Sequence, residues 1–92
     1  MNELLPIGTV VLLKNSQKRV MIVGLYQKGG KEPTRVWDYA GVIFPEGYID
    51  GEHLLLFNND QIVQIFAIGY QDVEQINFLT KANETIQKLR AK

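Results

Sequence analysis

The sequence predicts a mainly β, α+β domain: a small, strongly bent antiparallel sheet or SH3-like barrel of about five strands with one C-terminal amphipathic helix. Three observations carry that prediction. From Thr9 to Tyr70 short apolar, β-branched runs alternate with clusters of turn residues; after Asp72 the apolar period changes from two to three and four; and 92 residues suffice for one modest core. The whole chain, 1–92, is therefore read as a single domain, with strands over about 9–70 and the helix over about 72–90.

Thr9-Val10-Val11-Leu12-Leu13-Lys14 is the first strand, and Asn15-Ser16-Gln17-Lys18 supplies the polar turn of a hairpin. The second strand is Arg19 to Gln27, interrupted by Gly24, where a bulge or sharp bend is expected. Lys28 to Thr34 contains two glycines, a proline and charges without periodicity, which reads as a loop. The third strand, Arg35 to Phe44, is closed by Pro45-Glu46-Gly47, and a loop from Tyr48 to His53 leads into a fourth strand, Leu54 to Phe57. Asn58-Asn59-Asp60 is another turn or a single helical turn, followed by the last strand, Gln61 to Tyr70. Asp72 is a good helix N-cap, and Val73, Ile76, Leu79, Ala82, Ile86 and Leu89 recur at helical spacing.

Several strands are apolar on both faces: Trp37, Tyr39 and Ile43 alternate with Val36, Val42 and Phe44, and Met21, Val23 and Leu25 with Val20, Ile22 and Tyr26. A half-solvated antiparallel sheet alternates apolar with polar, so something must cover the second face. One helix shields about 10 Å of width, less than four or five strands present. Apolar and aromatic surface left over from that mismatch is expected to mark a partner site.

Charge sharpens the choice of partner. The formal net charge of zero is a cancellation. Residues 1–35 carry six bases (Lys14, Lys18, Arg19, Lys28, Lys31, Arg35) and two acids (Glu3, Glu32), giving +4; residues 36–80 carry no base and seven acids (Asp38, Glu46, Asp50, Glu52, Asp60, Asp72, Glu74), giving −7; residues 81–92 carry four bases (Lys81, Lys88, Arg90, Lys92) against Glu84, giving +3. Nucleic-acid binding wants basic and aromatic side chains on one surface, and here most aromatics lie in the acidic middle. The tail helix has too few cations for strong binding to anionic lipid. Neither a nucleic-acid nor a membrane partner is expected.

Catalysis is not expected either. One serine (Ser16, in a turn), one histidine (His53) and no cysteine leave no activated nucleophile, disulfide or thiolate metal site. Gly24 to Glu32 superficially resembles a phosphate loop, but the spacing to Lys31 is wrong, Glu32 stands where Ser or Thr belongs, and no helix follows. Asp50, Glu52, His53 and Asp60 have metal-ligand character but supply too few converging donors, so they read as a solvated acidic loop. No cofactor is expected. No apolar run approaches a membrane span, and the N-terminus lacks the basic start and apolar stretch of a signal peptide, so a cytoplasmic location is expected.

Leu4-Leu5-Pro6-Ile7-Gly8-Thr9-Val10-Val11-Leu12-Leu13, Asp38-Tyr39-Ala40-Gly41-Val42-Ile43-Phe44-Pro45-Glu46-Gly47-Tyr48, Phe57-Asn58-Asn59-Asp60-Gln61-Ile62 and Gly69-Tyr70-Gln71-Asp72, in this order and spacing, resemble a family of small Gram-positive bacterial proteins, the domain of unknown function 4176. The resemblance covers about Leu4 to Phe78, and its most specific part is the Asp-Tyr-x-Gly-Val-x-x-Pro-Glu-Gly-Tyr stretch. Members are typically encoded beside type VII secretion components and the LXG-type toxins that machine exports. The resemblance implies an accessory role: a cytoplasmic adaptor or chaperone that binds a secreted toxin or its small helical companion. It carries no enzymatic activity and no catalytic residue.

The candidate protein-binding residues are Trp37, Tyr39, Phe44, Glu46, Tyr48, Tyr70 and Phe78, mostly amphipathic aromatics of the kind enriched at binding hot spots. A homodimer through an exposed edge strand or the helix is a further expectation. Two alternatives stay open: a nucleic-acid-binding or regulatory barrel using the basic first hairpin, and a small metal-dependent enzyme using Asp50, Glu52 and His53.

Overall fold

The computed structural model describes residues 4–29 and 32–90. Five strands, β1 (Val10–Leu13), β2 (Val20–Gly29), β3 (Glu32–Ile43), β4 (Leu55–Phe57) and β5 (Ile62–Ala67), precede one helix, α1 (Val73–Arg90). Single 3-10 turns occupy Gly51–His53 and Asn59–Gln61. The strands form one antiparallel sheet in the order β4-β3-β2-β1-β5, open at both edges, so the bent-sheet form of the expectation holds and the barrel does not close.

Three strands, β2, β3 and β5, differ from their expected limits by two or more residues at one end. The expected loop Lys28 to Thr34 is largely strand: Lys28 faces Val36 and Gly29 faces Glu32 across an irregular register, and only Gly30 and Lys31 lie outside the described residues. Pro33, which lacks the N–H a ladder needs, falls inside that irregularity and so is tolerated. At the other end, β5 stops at Ala67 instead of reaching Tyr70. Gly69 has left the sheet to pass directly against the Ile7 carbonyl, which is close enough that any Cβ at residue 69 would collide with it. The register shift expected at Gly24 is present, between Ile22 and Gly24.

Val10, Ala40 and Val42 are buried on one face of the sheet, and the main core cluster lies on the other. Val11, Val20, Ile22, Leu25, Tyr39 and Phe57 point into it, and Leu4, Leu5, Ala82 and Ile86 close it from above. Gly41 sits within this face because a Cβ there would press on Val20, Phe57 and the Met21 carbonyl. α1 accordingly buries only part of its expected stripe. Ala82 and Ile86 are buried and Leu79 is half-buried, but Val73, Ile76 and Leu89 are exposed. Leu4 and Leu5 take core surface that a flush helix would otherwise cover, and the first two turns of α1 overhang it.

Because those turns gain little from packing, they depend on their cap. The Gln75 N–H donates to Asp72 Oδ1 at 2.8 Å, and the Ile76 N–H to the Asp72 carbonyl at 2.9 Å. Asp72→Ala is expected to cost about 1 kcal/mol and to lower helicity by circular dichroism. Faster amide exchange should be confined to residues 73–79, and uniform loss of protection along α1 would refute this account.

Candidate functional site

The four sequence stretches that carry the family resemblance meet in space, and most of what they build is structural. Asp38 and Tyr39 of β3 face the 58–61 turn. The Asp38 N–H donates to Asn58 Oδ1 at 3.0 Å, and Asp38 Oδ2 accepts from the Asn59 N–H at 2.7 Å. The Tyr39 hydroxyl donates to Asn59 Oδ1 at 2.7 Å and accepts from the Leu5 N–H at 2.9 Å. The Asn58 N–H is held by Gln61 Oε1 at 2.8 Å. The N-terminal stretch is tied to the last one by Thr9, whose hydroxyl donates to the Pro6 carbonyl at 2.7 Å and accepts from the Gly69 N–H at 3.1 Å. Buried polar groups cost several kcal/mol unless paired, so a network of this kind fixes one arrangement of strand, turn and terminus.

This geometry places the candidate binding residues in three locations. Tyr39 is fully buried and packs on Phe57 at 5.3 Å, so no partner reaches it; burial pushes its hydroxyl above the ordinary tyrosine range. Trp37 is half-buried opposite Gln27. Phe44, Glu46 and Tyr48 lie together at the end of β3. The Arg19 guanidinium stacks 5.0 Å from the Phe44 ring centre, and Lys18 pairs with Glu46 at 2.7 Å, which holds that exposed carboxyl below its ordinary range. Tyr48 is exposed at the rim. Tyr70 and Phe78 lie on the C-terminal segment, 79% and 56% exposed.

The C-terminal segment contains more than sequence reasoning assigned to it. Val63, Ile65, Phe66 and Ile68 on and after β5, Tyr70 in the connection, and Val73, Ile76 and Phe78 on α1 are all exposed. These eight large apolar side chains fall within 16 residues. The sequence signal is present, since Ile62, Val63, Ile65 and Phe66 are apolar at both parities of the last strand, but helical period alone assigns Val73 and Ile76 to the core. A cleft lined by Leu4, Gln71, Ile76, Leu79, Thr80 and Asn83 runs beside this surface.

Features of other chemistries are sparse. Asp50 caps the 51–53 turn, accepting from the His53 N–H at 3.1 Å and meeting His53 Nδ1 at 2.6 Å, with both side chains exposed. Among the described residues no three His, Cys, Asp or Glu side chains gather as a metal site, and no helix is long and apolar enough to cross a membrane.

A sequence model of the domain of unknown function DUF4176 matches residues 4–78. No curated protein and no solved structure gives a significant match to the chain.

Proposed function

The chain belongs to the DUF4176 family, and from that premise we propose that it is a non-enzymatic protein-binding module, a cytoplasmic adaptor or chaperone for type VII secretion substrates of the LXG toxin class. The observation that carries the binding role is the exposed apolar stretch from Val63 to Phe78. An isolated domain gains nothing by leaving so much apolar surface in water, whereas a carrier of helical, apolar-seamed clients needs it. The secretion assignment is supported by the resemblance described above and by the company such genes keep.

Co-expression tests this directly. The N-terminal helical region of a toxin encoded beside the gene is expected to co-purify with this chain as a stable complex through size exclusion. Failure with every neighbouring gene product would remove the reading.

A further inference from the structure

We propose that α1 carries a self-association face: two copies of the chain pair their α1 helices antiparallel about a two-fold axis that passes between Asn77 and Phe78. The pairing goes beyond the protein-binding reading above and does not depend on it. Its first support is the surface. Val73 is 76% exposed and Phe78 more than half exposed, and together with Glu74, Asn77 and Lys81 they line one groove. Every residue of that groove belongs to α1. The other side of the helix faces its own domain, where Ala82 and Ile86 are buried and Leu79 packs against the core.

The second support is the order of the charges, which selects the occupant. Glu74 and Lys81 are seven residues apart, just under two helical turns, so they stand nearly in line along the helix, about 10 Å apart. A two-fold axis midway between them sets Glu74 against the partner's Lys81 and Lys81 against the partner's Glu74. One groove thus holds both halves of two ion pairs. The same polarity runs along the whole helix: Asp72 and Glu74 are the charges before Lys81, and from Lys81 onward Lys81, Lys88 and Arg90 outnumber Glu84. An antiparallel pair lays the acidic half of each helix on the basic half of the other and opposes their dipoles. A parallel pair sets like on like. Phe78 stands beside the axis, where an aromatic side chain is best placed to be desolvated by the facing copy.

The third support is that neither sheet edge suits a second copy. β4 is three residues long. β5 changes register against β1 between Val10 and Val11 and again between Leu12 and Leu13. Short and bulged edges resist strand addition. An interface of a few helical turns lies at the small, weak end of the range, so the dimer is expected to dissociate on dilution.

The test is sedimentation velocity of the full chain over a micromolar-to-millimolar concentration series, in which a reversible monomer-dimer equilibrium is expected. Glu74→Lys and, separately, Lys81→Glu each replace two opposite-charge pairs by two like-charge pairs, and each is expected to weaken the dimer at least about tenfold. An equimolar mixture of these two variants has complementary faces and is expected to restore association. Phe78→Ala is expected to weaken the parent dimer at least about tenfold. Circular dichroism confirms that each variant folds. A monomer at every concentration, a dimer indifferent to both charge reversals, or a mixture that fails to restore association overturns the proposal. So does a monomer that needs Phe78 to bind a toxin region, which assigns the face to the client. The secretion reading is scored separately by co-purification: a monomer that captures a toxin region keeps that reading and loses this one, and a charge-switchable dimer that captures none does the reverse.

Discussion

Gly69→Ala is expected to be the most destabilising small substitution in the chain, costing about 3–5 kcal/mol. A Cβ at residue 69 would overlap the Ile7 carbonyl oxygen and press on the backbone carbons of Ile7 and Gly8, none of which is the movable end of a side chain. Relief requires the two segments to part. The Gly69 N–H bond to Thr9, the Thr9 bond to Pro6, and the Gly8 N–H bond to the Ile22 carbonyl at 2.8 Å all depend on their remaining together. Parting them opens the way to Leu4 and Leu5 in the core. A loss of about 3–5 kcal/mol is a large share of the roughly 5–14 kcal/mol available to a chain of this length. In a thermal melt it lowers Tm by about 15–30 °C. Gly51→Ala is the control, because nothing lies within 4 Å of a Cβ there. It is expected to stay within about 0.5 kcal/mol of the parent. Similar melting of both variants would mean that the close approach does not exist in solution.

That contact also shows where sequence reasoning stops. The strands were legible because β-branched runs and turn residues mark them locally, and Asp72 with a three-four period marked the helix. Gly69 looks like one more residue of an apolar run, since its reason for being glycine is Ile7, 62 positions away. Tyr39 was read as a binding aromatic for the same reason: its hydroxyl is satisfied by Leu5 and Asn59, neither of them near it in sequence. The candidate surface was half legible. The mismatch between one helix and a two-faced apolar sheet foretold leftover apolar area, and Tyr70 and Phe78 were identified within it. Which part of the helical stripe would stay uncovered depended on where Leu4 and Leu5 dock, and helical period carries no information about that.

Tyr39→Phe separates the hydroxyl from the ring and is expected to cost about 2–4 kcal/mol. The substitution keeps the packing on Phe57 and leaves the Leu5 N–H and the Asn59 carboxamide oxygen without the partner they share. The Leu5 N–H is expensive to leave unpaired away from water. The pH dependence identifies the cause. Burial favours the neutral phenol and raises its folded-state pKa above the ordinary value of 10.0, with the accepted Leu5 N–H opposing and the Asp38 charge adding to the rise. A raised folded-state pKa contributes stability that is complete below the unfolded value and is lost as pH rises toward the folded one. Tyr39 therefore adds nothing to the pH profile below about pH 10, and above it imposes a downward slope approaching about 1.4 kcal/mol per pH unit. Urea melts at a series of alkaline pH values are expected to show the parent losing stability more steeply than Tyr39→Phe, so that the gap between them narrows as pH rises. Parallel curves would show that the hydroxyl is not buried in the hydrogen bonds assigned to it, and the polar network joining strand, turn and N-terminus would lose its centre.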